Sequence, residues 1–506
     1  MKYALISVFD KSGIVEFARS LRDLGFGLIS TGGTFKLLKE QGIEVSEVSE
    51  ITQFPEMMGG RVKTLHPRVH AGILYRRDVP EDIEALQAHQ INAIDIVVNN
   101  LYPFEEMLHQ GKDDATMIEN IDIGGPSMIR AAAKNHKDVA IVVDPQDYAE
   151  VIQRLQNGTL DEAYRRQLAA KAFSLTAYYD GIISSYFNNL LGNKFPERFA
   201  RPLKLEAGMR YGENPHQAAA LYRDGFQPAR TTFDFEQLHG KEISYNNMND
   251  LTGAVMMLKE FDRPCAVGVK HSNPTGIACD DDINVAFDKM IACDDVSIFG
   301  GIIAINRAVT AHIAERINTM FMEIVIAPDF EPEAFDILAK KKNIRLIKSP
   351  NIMQTQFPDL KYKDVINGTL LQENDKVLYQ AFNVVSKRQP SQKEIDDMVF
   401  GMKAVKHISS NGVVLVKDEG TVGYGFGEVR RSWAVEKAIE RGAGHLEGSV
   451  LASDAFFFED TVELLHANGI KAAISPGGSI HDQAVIDLCD QYGIALVFTE
   501  TRHFRH

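Results

Sequence analysis

The sequence predicts an α/β fold in which the first 190 residues form a parallel sheet and a second αβ region follows. This prediction depends on two observations. Apolar runs such as Tyr3–Val8 are almost continuous, as expected for strands buried on both faces. They alternate with segments in which apolar residues recur at helical spacing, as in Ile14–Leu24 before Gly25. Strands separated by helices are typical of βαβ units, which bind ligands at the carboxyl ends of their strands.

The elements of the first region follow one another in a regular order. Its predicted strands are four apolar runs: Tyr3–Val8, Gly27–Ser30, Asp95–Asn99 and Val139–Val143. Helices are predicted in four places: after the turn Thr31–Thr34, from Gly124-Gly125-Pro126, from Asp144-Pro145 and over residues 160–190. The polar segment Leu191–Pro202 contains two prolines and is predicted to be a linker.

The second region shows the same alternation of strands and helices. Its predicted strands are Ala266–Lys270, Ile298–Ile305, Glu323–Ala327, Val413–Val416, Ser449–Ala452, Ala472–Ser475 and Ala495–Phe498. The stretch from Ser349 to about Lys393 is polar and less regular, so we expect it to connect two similar subdomains. The two halves share a pattern without a fixed-period repeat, so an internal duplication is a hypothesis.

The composition restricts the class of function. The chain has 506 residues, and its 54 Lys and Arg against 69 Asp and Glu give a net charge of −15. This length is enough for about three domains. Nucleic-acid or anionic-membrane binding would need the opposite charge, so any phosphate must bind in small basic pockets. The four cysteines form no C-x-x-C motif, and neither a signal peptide nor a membrane span is visible, so we expect a cytoplasmic protein without a metal knuckle.

Two segments of the first region have features of anion-binding loops. Thr31-Gly32-Gly33-Thr34 follows a strand and begins a helix, so it could hold a phosphate or simply form a tight turn. The segment Met58–His70 concentrates Arg, Lys, Thr and His, which suits a small anion, although a solvated basic loop is the alternative. Neither a Walker A motif nor a strand-bound G-x-G-x-x-G is present, so ATP or NAD chemistry lacks its usual motif.

Residues suited to proton transfer follow predicted strands in both regions. Tyr102, Asp122 and Lys134 could converge on one crevice, although each could also be a cap or turn residue. Lys270 and His271 stand where an apolar strand ends, and burial beside a cation favours a neutral, basic imidazole. The amides in residues 245–250 and 409–411 could donate to an oxyanion or form turns.

Taken in order, these motifs resemble the bifunctional purine biosynthesis family, whose members join an AICAR transformylase to an inosine monophosphate (IMP) cyclohydrolase. The resemblance runs nearly end to end through Ser7–Gly13, Thr31–Thr34, Gly60–Pro67, Asn100–Phe104, Ile121–Gly125, Arg130–His136, Arg210–Gln217, Lys270–Pro274, Ser453–Phe457 and Pro476–Ser479. It implies a methylglyoxal-synthase-like, doubly wound parallel sheet in residues 1–195. It also implies two cytidine-deaminase-like αβ subdomains within residues 200–506, at about 200–365 and 366–506, without the deaminase zinc signature.

The resemblance implies a first reaction, in which the 5-amino group of AICAR attacks the formyl carbon of the co-substrate 10-formyltetrahydrofolate. The amine is conjugated with the carboxamide, so it is a poor nucleophile and needs a base. His271 is implied as that base, Lys270 as the neighbour that holds it neutral, and Asn411 as the residue that orients the transfer oxygen. The implied contacts to the nucleotide or base are Arg210, Tyr211, Asn247, Phe299, Gly300, Glu323, Arg431, Arg502 and Phe504.

In the second implied reaction the carboxamide nitrogen attacks the new formyl group and water is lost, which draws the unfavourable first step forward. The implied ring-closing residues are Lys63, Tyr102, Asp122 and Lys134. The implied nucleotide pocket contains Lys11, Ser12, Thr31, Gly33, Thr34, Arg61, Thr64, Gly124 and Gly125. We expect small-molecule substrates, a homodimer, no catalytic metal, and neither nucleic-acid nor membrane partners.

Three positions or segments depart from the family pattern. The usual Gly-Ala-Gly-Gln and Ser-Arg signature is Gly425–Arg431 here, with Glu428 replacing a neutral amide and Arg430 a serine. The phenylalanine motif Phe456–Asp460 is one residue short, and Glu323 stands where Asp is common. Two alternatives therefore remain open: an enzyme that retains only cyclohydrolase activity, and a purine-nucleotide-binding protein without catalysis.

Overall fold

A computed structural model describes residues 2–226 and 234–506 of the chain. The described residues form two compact units. The first lies within Met1–Glu206 and Tyr222–Ala229, and the second within Ala207–Leu221 and Arg230–His506. Among the described helices, none has the length and apolar character needed to cross a membrane.

The strands of the first unit are β1 (Lys2–Ser7), β2 (Phe26–Ser30), β3 (Ser46–Glu47), β4 (Ile94–Asn99) and β5 (Ala140–Val142). Its helices are α1 (Ile14–Asp23), α2 (Gly32–Glu40), α3 (Val48–Thr52), α4 (Pro67–Leu74), α5 (Pro80–Ala88), α6 (Phe104–His109), α7 (Asp114–Glu119), α8 (Gly124–Lys134), α9 (Tyr148–Gln156) and α10 (Glu162–Leu190). The described strands form a parallel sheet in the order β3-β2-β1-β4-β5. The predicted doubly wound parallel sheet is therefore confirmed, and its order reverses between β1 and β4, where such sheets bind ligands.

Apolar residues on both faces of these strands hold the first unit together. Leu5, Ile29, Val97 and Ile141 are essentially inaccessible to solvent, as continuous apolar strands require. Helix α1 turns a buried face of Ile14, Phe17, Ala18 and Leu21 toward the sheet. Because these residues form the core, the loops at the carboxyl ends of the strands are the parts of the unit that can form a site.

Most strands of the second unit belong to one mixed sheet: β8 (Glu236–His239), β9 (Cys265–Lys270), β10 (Asn273–Cys279), β11 (Ile302–Ile305), β12 (Ile324–Ala327), β13 (Arg345–Lys348), β16 (Asn383–Val384), β17 (Val413–Lys417), β18 (Gly420–Gly425), β19 (Val450–Ser453), β20 (Ala472–Ser475) and β21 (Ala495–Phe498). Two hairpins lie outside the two larger sheets: β6 (Leu203–Met209) with β7 (Ala219–Asp224), and β14 (Leu360–Val365) with β15 (Gly368–Glu373). The helices are α11 (Tyr245–Leu258), α12 (Ile283–Cys293), α13 (Ala311–Asn318), α14 (Pro332–Leu338), α15 (Gln392–Val405), α16 (Arg431–Arg441), α17 (Glu459–Ala467) and α18 (Asp482–Tyr492).

The large sheet consists of two halves with the same topology. Elements β8 to β13 with α11 to α14 recur in the same order as β16 to β21 with α15 to α18. In the sheet the halves are arranged as β16-β21-β20-β19-β17-β18 and, in reverse, β10-β9-β11-β12-β13-β8. They meet where β10 pairs antiparallel with β18, at Ala278 and Gly420. The suspected duplication is therefore present in the topology.

The antiparallel centre of this sheet brings several candidate residues to one edge. β9, β10, β18 and β17 are successive antiparallel neighbours, so β9 ends at the edge where β17 begins. β11 is antiparallel to β9 and parallel to β12, so both also begin at this edge. Lys270, His271, Asn411, Gly300 and Glu323 flank these strand ends. We call this side of the sheet the transfer edge.

One predicted strand is too long. The prediction Ile298–Ile305 is wrong for its first four residues, because only Ile302–Ile305 belongs to β11. The preceding residues turn instead: the Gly301 N–H donates to the Ile298 carbonyl at 2.8 Å, and Gly300 has φ of +75°. A glycine in this left-handed region cannot continue a strand, although apolar composition alone suggested one.

Candidate functional sites

The first candidate site begins at the turn after β2. The Thr34 hydroxyl accepts from the Val8 N–H at 3.2 Å and donates to the Val8 carbonyl at 2.9 Å, and the hydroxyls of Thr31 and Ser7 lie 3.0 Å apart. These bonds fasten the start of α2 to the end of β1. A Cβ atom on Gly32 would lie 3.2 Å from Lys63 Nζ, so this lysine approaches the turn closely.

Lys11 and Lys63 both direct their ammonium groups toward this turn. Lys11 Nζ donates to the Phe9 carbonyl at 3.1 Å, and its Cε lies 3.8 Å from where a Cβ of Gly33 would be. Lys63 Nζ is 3.3 Å from Glu56 Oε1. Two cations beside the N-terminus of α2 form a small basic pocket in an acidic chain, the kind of site that a phosphate would need.

The loop that carries Lys63 also approaches the start of α8. A Cβ on Gly124 would lie 2.9 Å from the Thr64 hydroxyl oxygen. Thr64 is buried, whereas Arg61 is exposed and paired with Glu119. Thr64 and Gly124 are therefore neighbours in space, while the guanidinium of Arg61 is bound to an acidic partner on the surface.

Asp122 is a half-buried acid of this site. Its Oδ1 accepts from the Gly125 N–H at 2.8 Å, and its own N–H donates to the Tyr179 hydroxyl at 2.8 Å. Burial raises the pKa of Asp122, against the lowering effect of the Gly125 and Tyr102 backbone N–H groups. Tyr102 is thus adjacent to Asp122 through its backbone, and its ring meets Phe9 edge to face. Tyr179 was not expected from the sequence, since it lies in a long helix with no motif.

Lys134 lies apart from Asp122. It is the last residue of α8, ten residues after Gly124, which corresponds to a rise of about 15 Å along the helix. There it lines a cavity of about 700 Å³ with His70, Ser127, Arg130, His136 and Phe173. The structure therefore places Tyr102 beside Asp122, whereas Lys134 lies at the other end of α8 and lines this cavity.

The second candidate site lies along the transfer edge. Lys270 Nζ donates to the Phe299 carbonyl at 2.7 Å, which fixes its ammonium group beside Gly300. The Gly300 N–H donates to the Phe321 carbonyl at 2.7 Å, and the rings of Phe299 and Phe321 lie 5.5 Å apart. Lys270, Phe299 and Gly300 are therefore brought together.

Glu323 also lies at the transfer edge, and it forms an ion pair with a buried arginine. Its Oε2 accepts from Arg345 Nη1 at 2.6 Å, and the Arg345 side chain is only 5% exposed. Arg345 also donates to the Glu242 carbonyl at 2.9 Å. This charged hydrogen bond fixes the Glu323 carboxylate in place, as a binding group requires. Arg345 carried no motif in the sequence.

His271 is exposed at the tip of the β9–β10 hairpin. Among the described residues, its imidazole has no hydrogen-bond partner, so both ring nitrogens are available.

Asn247 lies near the start of α11 and accepts from the Ser244 N–H at 3.2 Å in a capping box. The structure thus gives the Asn247 side chain a local role in capping the N-terminus of this helix.

Asn411 is held by two different groups. Its side-chain oxygen accepts from Arg431 Nη2 at 2.7 Å, and its Nδ2 donates to the Glu428 carbonyl at 2.8 Å. Arg431 also donates to Ser453 Oγ at 3.0 Å and pairs with Asp454, whose side chain is fully buried. The amide of Asn411 therefore has a single fixed orientation.

Arg502 and Phe504 lie on the C-terminal segment. The guanidinium of Arg502 stacks 4.2 Å from the Phe504 ring centre. His503 lies between them and is buried. Its ring Nδ1 is 2.6 Å from Asp375 Oδ2, and its backbone N–H donates to the Asp454 carbonyl at 2.9 Å. The buried histidine leaves the alternate residues Arg502 and Phe504 facing outward.

Arg210 and Tyr211 lie where β6 ends, and the Arg210 guanidinium is 5.6 Å from the Tyr211 ring centre. The loop that follows contacts the start of α11, since Asn246 Nδ2 donates to the Glu213 carbonyl at 3.2 Å. This contact brings the loop next to Asn247. Among the described residues, no group of three or more His, Cys, Asp or Glu side chains could hold a metal ion.

Two family models match the chain and define its class. The model described as an MGS-like domain matches residues 13–127, and the one described as the AICARFT/IMPCHase bienzyme matches residues 132–441. The chain belongs to the AICARFT/IMPCHase bienzyme family, which confirms the resemblance carried by its motifs.

Relatives match this chain from end to end. The "Bifunctional purine biosynthesis protein PurH" of Caldicellulosiruptor bescii is 49% identical over 515 residues, and that of Thermoanaerobacter sp. (strain X514) is 52% identical over 512 residues. Both alignments cover 100% of this chain and 100% of the relative. A solved structure described as "Crystal structure of ForH" is 34% identical, covers 39% of this chain and 100% of its own, and has a TM-score of 0.34.

Proposed function

We propose that this protein is a bifunctional enzyme of purine biosynthesis. It transfers a formyl group to the 5-amino group of AICAR and then closes formyl-AICAR to IMP with loss of water. The observation that carries this proposal is the full-length identity of about half to bifunctional relatives, across both groups of candidate residues. The formyl donor is 10-formyltetrahydrofolate, used as a co-substrate: its bond from N10 to the formyl carbon breaks as the new carbon–nitrogen bond forms, and tetrahydrofolate leaves.

In the transfer step, His271 acts as the base. Its imidazole is exposed and unpartnered within the described part of the chain, so it can accept the proton that the amine loses as the carbon–nitrogen bond forms. Lys270, held on the Phe299 carbonyl, supplies positive charge beside this base. Asn411 orients the transfer oxygen through the second hydrogen of its Nδ2, and Arg431 and the Glu428 carbonyl fix the amide.

The altered Gly425–Arg431 segment is compatible with this step. Glu428 contacts Asn411 only through its backbone carbonyl, which any residue provides. Arg430 directs its guanidinium to Asp460 on the surface, at 3.1 Å. The two replaced side chains therefore leave the hold on Asn411 unchanged, and this supports a complete enzyme over one that retains only the cyclohydrolase.

In the closing step, Asp122 exchanges protons as the carboxamide nitrogen attacks the formyl carbon. Because burial raises the pKa of Asp122, its carboxyl group keeps a proton to a higher pH than an exposed aspartate, which suits a group that assists the loss of water. Lys63 stabilises charge near the turn after β2, and Tyr102 lies beside the acid. Lys134 is assigned to this step by resemblance.

We assign closure to residues 1–195 and transfer to residues 200–506, and we propose that the enzyme is a cytoplasmic homodimer. Nucleotide contacts in the closing site come from the basic pocket of Lys11 and Lys63, with Thr31, Thr34 and Thr64 around it. In the transfer site they come from Arg210, Tyr211, Glu323, Arg502 and neighbouring residues.

The test is to incubate the protein with AICAR and 10-formyltetrahydrofolate and to separate the nucleotides by chromatography. The proposal predicts IMP, formed only when both substrates are present. A protein that closes supplied formyl-AICAR but forms none from AICAR would be a cyclohydrolase only. A protein that binds AICAR and leaves it unchanged under both conditions would be a non-catalytic nucleotide-binding protein.

A further inference from the structure

The turn that presents His271 has an unusual backbone. Lys270 and Asn273 pair across the β9–β10 hairpin, so His271 and Ser272 alone form the loop. Their φ angles are +53° and +58°, as in a type I′ turn. Both central positions of that turn favour glycine, asparagine or aspartate. Histidine adopts positive φ less readily than glycine, and serine does so with strain. The turn therefore needs support from outside the hairpin.

Asp250, on helix α11, supplies that support. Its Oδ2 accepts from the His271 N–H at 3.2 Å, and its Oδ1 accepts from the Ser272 N–H at 2.8 Å. The Ser272 hydroxyl lies 3.2 Å from the same Oδ1 and receives a hydrogen bond from Asn249 Nδ2 at 2.9 Å. One carboxylate thus accepts from both backbone N–H groups of the loop and holds His271 and Ser272 in the left-handed conformation.

The second half of the sheet repeats this arrangement without the histidine. Asp418 and Glu419 form the β17–β18 loop with φ of +54° and +52°, and Asp397 accepts from their N–H groups at 3.1 and 2.6 Å. Lys417 Nζ donates to the Glu447 carbonyl at 2.7 Å, just as Lys270 does to that of Phe299.

The two copies lie at opposite edges of the sheet. β17 is separated from β9 by three successive antiparallel pairings, so the loop at the end of β17 is opposite the transfer edge. The same turn and the same carboxylate therefore occur once with the proposed base and once remote from it. Asp397 is a natural control for Asp250.

We propose that Asp250 is a positioning residue for formyl transfer, which fixes the His271 turn so that the imidazole faces the amine of AICAR. The inference rests on the proposed function, since it assigns a partner to the proposed base. Asp250 acts through the backbone of the turn and transfers no proton itself. Its loss leaves the residues that bind nucleotide in place and displaces the base.

The first test compares Asp250→Asn with Asp397→Asn in the full-length protein. Displacement of a base by about 1 Å can cost about 100-fold in rate, so we expect the kcat for formyl transfer of Asp250→Asn to fall by about 10- to 100-fold. The KM for AICAR should change less than about threefold, and closure of supplied formyl-AICAR should be unchanged. Asp397→Asn should keep the kcat of the wild type. Equal losses in both variants, or no loss in Asp250→Asn, would overturn the proposal.

A rescue variant separates positioning from direct chemistry. Ser272→Gly removes the strain at the second loop position, because glycine adopts positive φ readily. The double variant Asp250→Asn/Ser272→Gly should recover most of the lost kcat, with Ser272→Gly alone near the wild type. A loss that Ser272→Gly does not restore would mean that the carboxylate acts on the substrate, and would contradict the proposal.

Amide hydrogen exchange over residues 265–279 gives a measurement that needs no turnover. Asp250→Asn should speed exchange at the backbone amides of residues 271 and 272. The double variant Asp250→Asn/Ser272→Gly should recover part of the lost protection. If the wild type formed no formyl-AICAR, the proposed function would fail while this measurement still judged the role of Asp250 in the turn. Unchanged exchange in Asp250→Asn would overturn the positioning role.

Discussion

Arg431 donates a hydrogen bond from Nη2 to the side-chain oxygen of Asn411 at 2.7 Å, while its Nη1 pairs with the buried carboxylate of Asp454. The resemblance assigned Arg431 to the nucleotide. In the structure, its side chain is only 9% exposed and its charge is matched internally by Asp454. The geometry therefore makes Arg431 the residue that orients the Asn411 amide.

Arg431→Ala should damage both stability and transfer. It leaves the buried Asp454 carboxylate without its cationic partner and with the Ser410 hydroxyl as a neutral donor, so we expect the free energy of unfolding to fall by about 3 to 5 kcal/mol. Formyl transfer should fall because Asn411 loses its fixed orientation. Urea unfolding and the formyl-transfer assay measure the two effects. Arg430→Ala is the control, because its exposed pair with Asp460 should contribute less than about 1 kcal/mol. Equal stability of the two variants would contradict this account.

Glu428→Gln should leave formyl transfer nearly unchanged. The substitution restores the amide that is usual in the family, but Asn411 contacts only the backbone carbonyl of residue 428. We expect kcat and the KM for AICAR to stay within about twofold of the wild type, since no transition-state contact is altered. A large gain in either parameter would show that the side chain at this position acts in the reaction.

Gly60→Ala should impair closure through Lys63. A Cβ at Gly60 would lie 2.6 Å from Lys63 Cε and 2.8 Å from its Nζ, so this flexible side chain must move. Gly59→Ala is a matched control, because Gly59 also has positive φ but has no atom within 4 Å of its Cβ position. We expect closure of formyl-AICAR to fall in Gly60→Ala well below its rate in Gly59→Ala. Similar rates in the two variants would mean that only backbone strain matters.

Asp397 should make stability depend on pH. Burial raises its pKa from 3.8 to about 6, so the folded state keeps a proton that the unfolded state loses between these values. The contribution of protonated Asp397 to the free energy of unfolding is fully present below about pH 4 and is lost as the pH rises through about 6. The free energy of unfolding should therefore fall by about 2 to 3 kcal/mol across this window relative to Asp397→Asn.

Urea unfolding of the wild type and of Asp397→Asn between pH 4.5 and 7.5 measures this difference in the free energy of unfolding. The exposed neighbour Asp396 provides the control, since Asp396→Asn should keep the pH dependence of the wild type. Parallel curves for the wild type and Asp397→Asn would show that Asp397 is not the group responsible.

Strands such as β1 and β4 could be predicted because they are buried on both faces, which leaves continuous apolar runs. The buried strands β10 and β13 were not predicted. The two-residue strand β3 (Ser46–Glu47) leaves no such run. The joining of the two halves depends on the pairing of β10 with β18, which brings Ala278 to Gly420. Pairing between residues so distant in the chain has no local signal.

The candidate sites show the same limit. Lys270 and His271 could be recognised because they end an apolar strand, and Asp122 because it precedes two glycines. The residues that hold the candidate side chains or their turns were not recognised in that role: Tyr179, Asp250, Arg345 and Asp454. Each is brought to its site by tertiary packing, and its residue type is common in helices and turns. The separation of Lys134 from Asp122 likewise follows from the length of α8, which a motif does not measure.

The most direct test is to measure both nucleotide products made by His271→Ala and by Lys63→Ala. His271→Ala should form neither formyl-AICAR nor IMP from AICAR, yet close supplied formyl-AICAR as fast as the wild type. Lys63→Ala should form formyl-AICAR only up to the unfavourable equilibrium of the transfer step, and no IMP. If either folded variant lost both reactions, the assignment of the two steps to two separate groups of residues would be wrong.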